Sequence, residues 1–444
     1  HSLANPQVYH DQMVHFMRYP KKVFDKFSGA VQLLVEKHEI LRTAFRFIED
    51  ELYQLVYETI DPDIHFFDLA DKNEEAQLDF IKLRLRQEHD DPFVIETPGL
   101  FKFMVFALGE DNYCFCFNCH HAIIDGWSDA SLNTELHNLM TRLAEEEHYR
   151  PRPLHSSYQD YVMQELFLLQ SEEQFTFWQQ ELKAYRPFKF SLSETNPGRL
   201  RLEQIIDPSV VRDLAALSKE LRVNIKHLYF SIFLQVLRYF SEHNDLTIGL
   251  ISNNRLAAED GDKVLGCFLN TVPFRMTLSP EDEWRKVLQL VDEKMIQLKN
   301  YDRYPFGKII RDIRSRNQVV DRIDNVIFSF TDFHVYADAN LKGAAPILSH
   351  KNQKKELGGV TNNSAFTFTV DTAATKTKVS IAADEAFIKQ EEAELFLTLF
   401  VQFATSILMN QAYSTDDLGQ FLKSLTPHPN NIGKADQTVG EKST

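Results

Sequence analysis

The run Asn118-Cys119-His120-His121-Ala122-Ile123-Ile124-Asp125-Gly126-Trp127-Ser128 holds the residue types that could do chemistry. Imidazole titrates near neutrality, and a glycine lets a substrate approach the backbone closely. A histidine followed four residues later by Asp125 and Gly126 therefore suits acid–base work. On this segment alone, a core histidine paired with an aspartate is an equally good reading. Over positions 113–121 the odd residues are Tyr113, Phe115, Phe117, Cys119 and His121, and the even ones Cys114, Cys116, Asn118 and His120. A strand turns successive side chains to opposite faces, so only one histidine can face a given site and the other is structural. Leu132, Leu136, Leu139, Met140 and Leu143 then recur with helical spacing, which places the histidines at a strand-to-helix junction. Ser128 is the expected N-cap of that helix. No Gly-x-Ser-x-Gly elbow is present to supply a hydrolase nucleophile.

The elements that must position this run are legible by period. Val23, Phe27, Ala30, Val31 and Leu34 mark a helix, a strand is expected over 45–55, and Leu78, Ile81 and Leu85 mark another helix. Phe101, Phe103, Val105 and Ala107 alternate up to a turn at 109–112, so the histidines lie on the second strand of a hairpin. Apolar residues on both faces make it a central strand. After charged and aromatic sequence over 145–188, a second series begins: Asp207 and Pro208 opening a helix, a helix from Asn224 apolar nearly all round, and a buried strand over 245–251. A helix carrying Trp284 follows, with strands over 325–330, 365–370 and 379–383 and a last helix over 391–409. The fold class is therefore mixed α/β (α+β). The expected domains are 1–170, carrying the histidines, and 171–426, with 427–444 as a linker or tail; 337–363 reads as loop.

Composition narrows the function. A formal charge of −16, without a long basic run, argues against nucleic acid and against anchoring to anionic lipid. No apolar run is expected to span a bilayer, and a cytoplasmic location is the default. The chain opens on His1 without a signal pattern and reads as a piece of a longer polypeptide. Cys114, Cys116 and Cys119 beside two histidines could suggest zinc. On a strand, however, Cys119 faces away from the other two and the second distant pair is missing, so they read as buried apolar cysteines and no metal is expected.

Several separated segments resemble, in order, the core motifs of condensation domains of nonribosomal peptide synthetases. They are Lys37-His38-Glu39-Ile40-Leu41-Arg42-Thr43-Ala44-Phe45, the His120-to-Ser128 run, Tyr158-Gln159-Asp160-Tyr161, Leu265-Gly266-Cys267-Phe268-Leu269-Asn270-Thr271-Val272-Pro273-Phe274-Arg275 and Tyr304-Pro305-Phe306. The family's first motif is missing, and 311–317 matches the last one only loosely. The resemblance implies two lobes similar to chloramphenicol acetyltransferase, set as a V-shaped pseudo-dimer around a tunnel, with 265–275 as a crossover beside it. It implies that His121 is catalytic and that His120, Asp125 and Gly126 are structural, with Arg42 as the candidate ion-pair partner of Asp125. Trp127, Ser128, Asn270 and Arg275 are expected along the tunnel, although lobe packing is as good a reading for 266–275.

The implied reaction is attack of an amine on a thioester carbonyl. The domain itself would bind no cofactor, because the substrates ride on phosphopantetheine arms of carrier domains upstream and, for a carrier-borne acceptor, downstream. A monomer within a larger assembly line is expected. Two further readings remain: a terminal domain releasing product onto a free amine, and a catalytically silent docking module. Residues 326–336 and the Gly126-Trp127-Ser128 form resemble the subtype that takes a D-configured donor.

Overall fold

The computed structural model describes residues 9–49, 51–190, 198–314, 322–332, 345–346, 364–372 and 376–425. The expected tail at 427–444 lies outside them, as does the loop at 337–363 apart from 345–346.

The first half runs β1 (His10–Arg18), α1 (Lys21–Phe24), α2 (Phe27–Lys37), β2 (Thr43–Ile48), β3 (Glu51–Val56), β4 (Ile64–Asp68), α3 (Glu74–His89), β5 (Phe101–Gly109), β6 (Asn112–His120) and α4 (Gly126–Glu145). The strand expected over 45–55 is two strands. Glu49 takes a φ of 52°, and the chain folds back so that β2 and β3 pair antiparallel as a separate hairpin. β6 is central, between β1 and β5, both antiparallel to it, and β4 lies parallel beyond β5. Ala345–Pro346, from far along the chain, pairs with the outer edge of β1. The alternation of β6 has its expected consequence. Tyr113, Phe115, Phe117 and Cys119 enter a core with α2 and α4, whereas Cys114 and Cys116 enter a second one against Ile81 and Leu85 of α3.

The second half continues with α5 (Tyr158–Leu169), α6 (Glu172–Glu181), β7 (Arg199–Ile205), α7 (Pro208–Leu221), α8 (Ile225–Tyr239), β8 (Asp245–Asn253), β9 (Leu269–Thr277), α9 (Trp284–Leu298), α10 (Phe306–Arg314), β10 (Val326–Thr331), β11 (Ala345–Pro346), β12 (Phe366–Asp371), β13 (Lys378–Asp384), α11 (Gln390–Met409) and α12 (Thr415–Leu425). A six-stranded mixed sheet, ordered β7-β13-β12-β10-β8-β9, packs against α8 and α11. α8 is buried because it is apolar all round; Phe233 alone meets Phe328, Phe368 and Phe396 at centroid distances of 5.1–5.7 Å. α11 is not the last helix, since α12 follows it. By length and composition α11 could cross a bilayer, against the expectation from the linear sequence, but Phe396, Leu399, Phe400 and Phe403 bury it in this core. Leu256, Val264, Leu265 and Phe268, which lie between β8 and β9, pack in the first half's core instead.

On the α3 side of the first sheet, His10 and His120 face each other across β1 and β6, and the His10 ring stacks on His89 at 5.7 Å. Burial, then the neighbouring His89 and the paired His120, lowers the His10 pKa to about 4; burial, then His121, lowers His120 to about 4. An unfolded chain protonates these rings near 6.5, so between pH 6.5 and 4 it binds more protons than the folded one. The stability they contribute is complete above about pH 6.5 and is lost as pH falls toward 4. The urea midpoint is expected to drop between pH 7.5 and pH 5, and the drop should be smaller in His10→Leu; an equal drop in both proteins would refute this account.

Candidate active site

β6 ends on His120, whose N–H bonds the carbonyl of Leu100 at 2.9 Å, and the next N–H, of His121, reaches the carbonyl of Tyr9 at 2.7 Å. A turn closes as Ile123 N–H meets the carbonyl of His120 at 3.1 Å. Asp125 then caps α4, its Oδ1 accepting from Ser128 N at 2.7 Å. The cap is therefore Asp125 and not Ser128, because the helix already starts at Gly126.

The two rings part as strand parity requires. His120 lies under the sheet, 4% exposed, its Nδ1 accepting from Ala122 N at 3.1 Å. His121 keeps 20% of its side chain exposed. Its Nδ1 donates to the carbonyl of Ile124 at 2.7 Å, which sets the ring orientation and leaves Nε2 for other partners. Nε2 lies 3.9 Å from Oδ2 of Asp11. Burial opposes charge on this ring, but the Asp11 carboxylate and then the hydrogen-bonding Cys267 side chain outweigh it, so the His121 pKa stands well above the ordinary imidazole value.

Asp125 is 1% exposed and its partner is Arg255, with Nη2 at 3.2 Å from Oδ1. Oδ2 accepts from Phe268 N at 3.0 Å, and Asp125 N–H reaches the carbonyl of Gly266 at 3.2 Å. Arg255 also bonds Ser128 Oγ and the carbonyl of Val264, and its guanidinium lies over the Phe268 ring at 4.4 Å. Ser128 Oγ, fully buried, donates to the carbonyl of Gly266 at 2.7 Å and accepts from its N–H at 3.1 Å. The loop at 264–268 is thereby fastened to the start of α4. Tyr158 completes the fastening: its hydroxyl donates to the carbonyl of Cys267 at 2.8 Å. A Cβ on Gly266 would stand 2.2 Å from the Tyr158 ring, so only glycine fits.

Other expected site residues go elsewhere. Arg42, expected beside Asp125, bonds the carbonyls of Val35, Tyr57 and Glu58 and so tethers the end of the β2–β3 hairpin. Arg275 pairs with Asp245 at 2.7 Å and bonds the carbonyls of Glu181 and Lys183 at the end of α6, contacts that tie β9 to that helix. Asn270 bonds the carbonyls of Asp302 and Tyr304 and the N–H of Phe306, at 2.7, 2.9 and 3.0 Å; it ties β9 to the Tyr304-Pro305-Phe306 segment. Trp127 and Gly126 stay partly exposed beside His121, and Trp127 Nε1 donates to the carbonyl of Asp262 at 3.1 Å.

Lys37 and His38 both grip Glu135 on α4, His38 Nε2 at 2.8 Å. Burial alone would raise the Glu135 pKa, but the His38 hydrogen bond and then Lys37 hold it at about 2. Among the described residues His155, Glu259 and Asp260 form a group of potential metal ligands. The Asp260 carboxylate there is already held by Arg152 at 2.8 Å and Lys263 at 2.9 Å. Asp11 and Arg255 had no signal in the sequence; only the register of β1 on β6 and the return of the loop after β8 bring them in.

Truncating either member of the Asp125–Arg255 pair leaves a buried charge uncompensated, a cost of about 3–5 kcal/mol. Asp125→Ala and Arg255→Ala are each expected to lose that much in urea unfolding, and Arg42→Ala clearly less. Equal losses for Arg42 and Arg255 would refute the pairing. Gly266→Ala is expected to cost about 1–3 kcal/mol by overpacking against Tyr158.

A family model described as Condensation domain matches residues 2–419. A linear gramicidin synthase polypeptide of Brevibacillus parabrevis is 24% identical over 397 residues, 87% of this chain but 8% of that protein. AMB antimetabolite synthetase AmbE of Pseudomonas aeruginosa is 26% identical over 343 residues, 74% of this chain and 15% of that protein. The chain thus spans a small fraction of the curated relatives it matches. Among solved structures, the condensation domain of the monacolin K polyketide synthase superposes with a TM-score of 0.75 at 15% identity, covering 92% of this chain and 94% of that one. The first condensation domain of the calcium-dependent antibiotic synthetase, bound to a substrate analogue, gives 0.72 at 16%, covering 94% and 95%. The X-domain in complex with OxyB from teicoplanin biosynthesis gives 0.74 at 17%, covering 93% and 91%. These likenesses establish the fold, and with the family match over nearly its whole length the chain belongs to the condensation-domain family of nonribosomal peptide synthetases, whose members form amide bonds.

Proposed function

We propose that this domain joins an acyl or peptidyl thioester, carried on the phosphopantetheine arm of an upstream carrier domain, to an amine. The observation that carries this reading is the state of His121. It is the one histidine of the pair that keeps access to solvent, its Nδ1 is fixed by Ile124, and its Nε2 lies 3.9 Å from the Asp11 carboxylate.

A thioester is already activated, so much of the rate can come from holding amine and carbonyl in attack geometry. The Asp11 carboxylate, 3.9 Å from Nε2, shifts the His121 pKa upward and so favours a proton on Nε2. The ring therefore acts as a donor to the oxygen that becomes negative as the tetrahedral intermediate forms, and not as the first proton acceptor. The N-terminus of α4 at Gly126 adds a positive dipole end on the same side. Residues 1–170 and 171–426 serve as the two lobes, joined where 256–268 leaves the second sheet for the first core.

The test is to incubate the domain with an acyl-loaded carrier protein and either a carrier-bound amino acid or a free amine, and to read products by mass spectrometry. Amide formation is expected, with a loss of about 10²–10³-fold in His121→Ala. No amide from either acceptor, or an unchanged rate in His121→Ala, would refute the reading. The acceptor that reacts separates chain elongation from release.

A further inference from the structure

Asp11 has no part in the motifs by which this chain resembles its family, yet its carboxylate faces the reacting nitrogen of His121. It arrives there by register. β1 pairs antiparallel with β6 so that Asp11 stands opposite Cys119, while its neighbour His10 stands opposite His120 on the other face. Asp11 is 3% exposed, and a carboxylate so removed from water is costly unless something balances it. The groups around His121 are few. The Tyr9 ring meets it edge-on at 6.3 Å, Cys267 hydrogen-bonds it from the loop before β9, and His120 precedes it on β6. Asp125 is already matched by Arg255, and Asp129 on α4 is held by Asn133 at 2.7 Å. Among the described residues, Asp11 is thus the carboxylate that faces the ring.

The spacing is informative. At 3.9 Å, Oδ2 and Nε2 are too far apart for a direct hydrogen bond, yet near enough for each to hold, at about 2.9 Å, one of two atoms bonded to the same reacting carbon. Aminolysis of a thioester passes through an intermediate with a negative oxygen and a positive nitrogen, and an imidazolium beside a carboxylate has the complementary charges.

We propose that Asp11 is a second catalytic residue, which takes the proton of the acceptor nitrogen while Nε2–H of His121 holds the carbonyl oxygen. This rests on the reading of the domain as an amide-forming one. The amine attacks the thioester carbon, the C–N bond forms and the carbonyl π pair moves to oxygen, held by His121. The ammonium gives its proton to Asp11. Collapse breaks the C–S bond, and the leaving thiolate takes the proton back from Asp11, so that both side chains return to their starting states. A site of this charge selects a basic amine over a hydroxyl of the same shape.

The test compares wild type, Asp11→Asn and Asp11→Glu in the carrier assay, together with NMR titration of the His121 ring in histidine-labelled protein. Asp11→Asn keeps the shape but cannot take a proton. It is expected to lower kcat by about 10²-fold and the His121 pKa by about one unit or more. Asp11→Glu should recover part of the rate. Should Asp11→Asn not fold, Asp11→Glu carries the comparison through its shifted pH profile. An active wild type whose Asp11→Asn form keeps both its rate and its His121 pKa overturns the proposal alone. A wild type that makes no amide overturns the underlying function instead.

Discussion

The buried Asp125 carboxylate is the constraint on which the site depends. A charge at that depth must be matched by a cation and by hydrogen bonds to its remaining lone pairs, or it would not persist. Arg255, Ser128 N–H and Phe268 N–H do this together, and they come from three separate stretches of chain. Satisfying one aspartate therefore fixes the start of α4, the loop after β8 and the entry to β9 relative to each other. Ser128 Oγ and Tyr158 add bonds of the same kind, and Gly266 permits the close approach that all of them require. The second half's sheet and the first half's core are coupled through this knot.

Once the knot holds, the two histidines acquire opposite characters from their surroundings alone. His120 points into an apolar layer beside His10 and stays neutral down to about pH 4, where it can only accept the N–H of Ala122. His121, one residue later, points to the other side, meets Asp11 and Cys267, and holds its proton more firmly than a free imidazole does. The alternation of side chains along the chain thus separates a ring buried under the sheet from one that keeps access to solvent, with the same side chain in both places.

Several of the motif residues that mark the resemblance bond other parts of the chain. Lys37 and His38 hold Glu135, which locks α2 to α4 and sets the axis of the helix that begins at Gly126. Asn270 joins β9 to the segment before α10, and Arg42 secures a hairpin. They act as braces that hold the elements around His121 in place, which suits a reaction in which positioning supplies much of the rate.

Local periodicity made a large part of this legible in the sequence. The alternation over 113–121 placed His121 and His120 on opposite faces, the helical spacing after Gly126 located α4, and the apolar run from Leu228 announced a buried helix, because these depend only on neighbours along the chain. What failed depended on partners far away in sequence. Arg42 was assigned to Asp125 although Arg255 is the cation that arrives there, 130 positions downstream. For Arg275 and Asn270 the tunnel and packing readings were equally open, and their carbonyl partners are distant in sequence too. Asp11 gave no sign of its position, since a one-residue slip of β1 on β6 would have put His10 in its place. What the sequence settled by itself is that the two histidines lie on opposite faces and where most of the long helices and strands run; only the tertiary structure decided which charges meet, because the pairing of buried charges is set by the packing of whole elements and not by the spacing of residues.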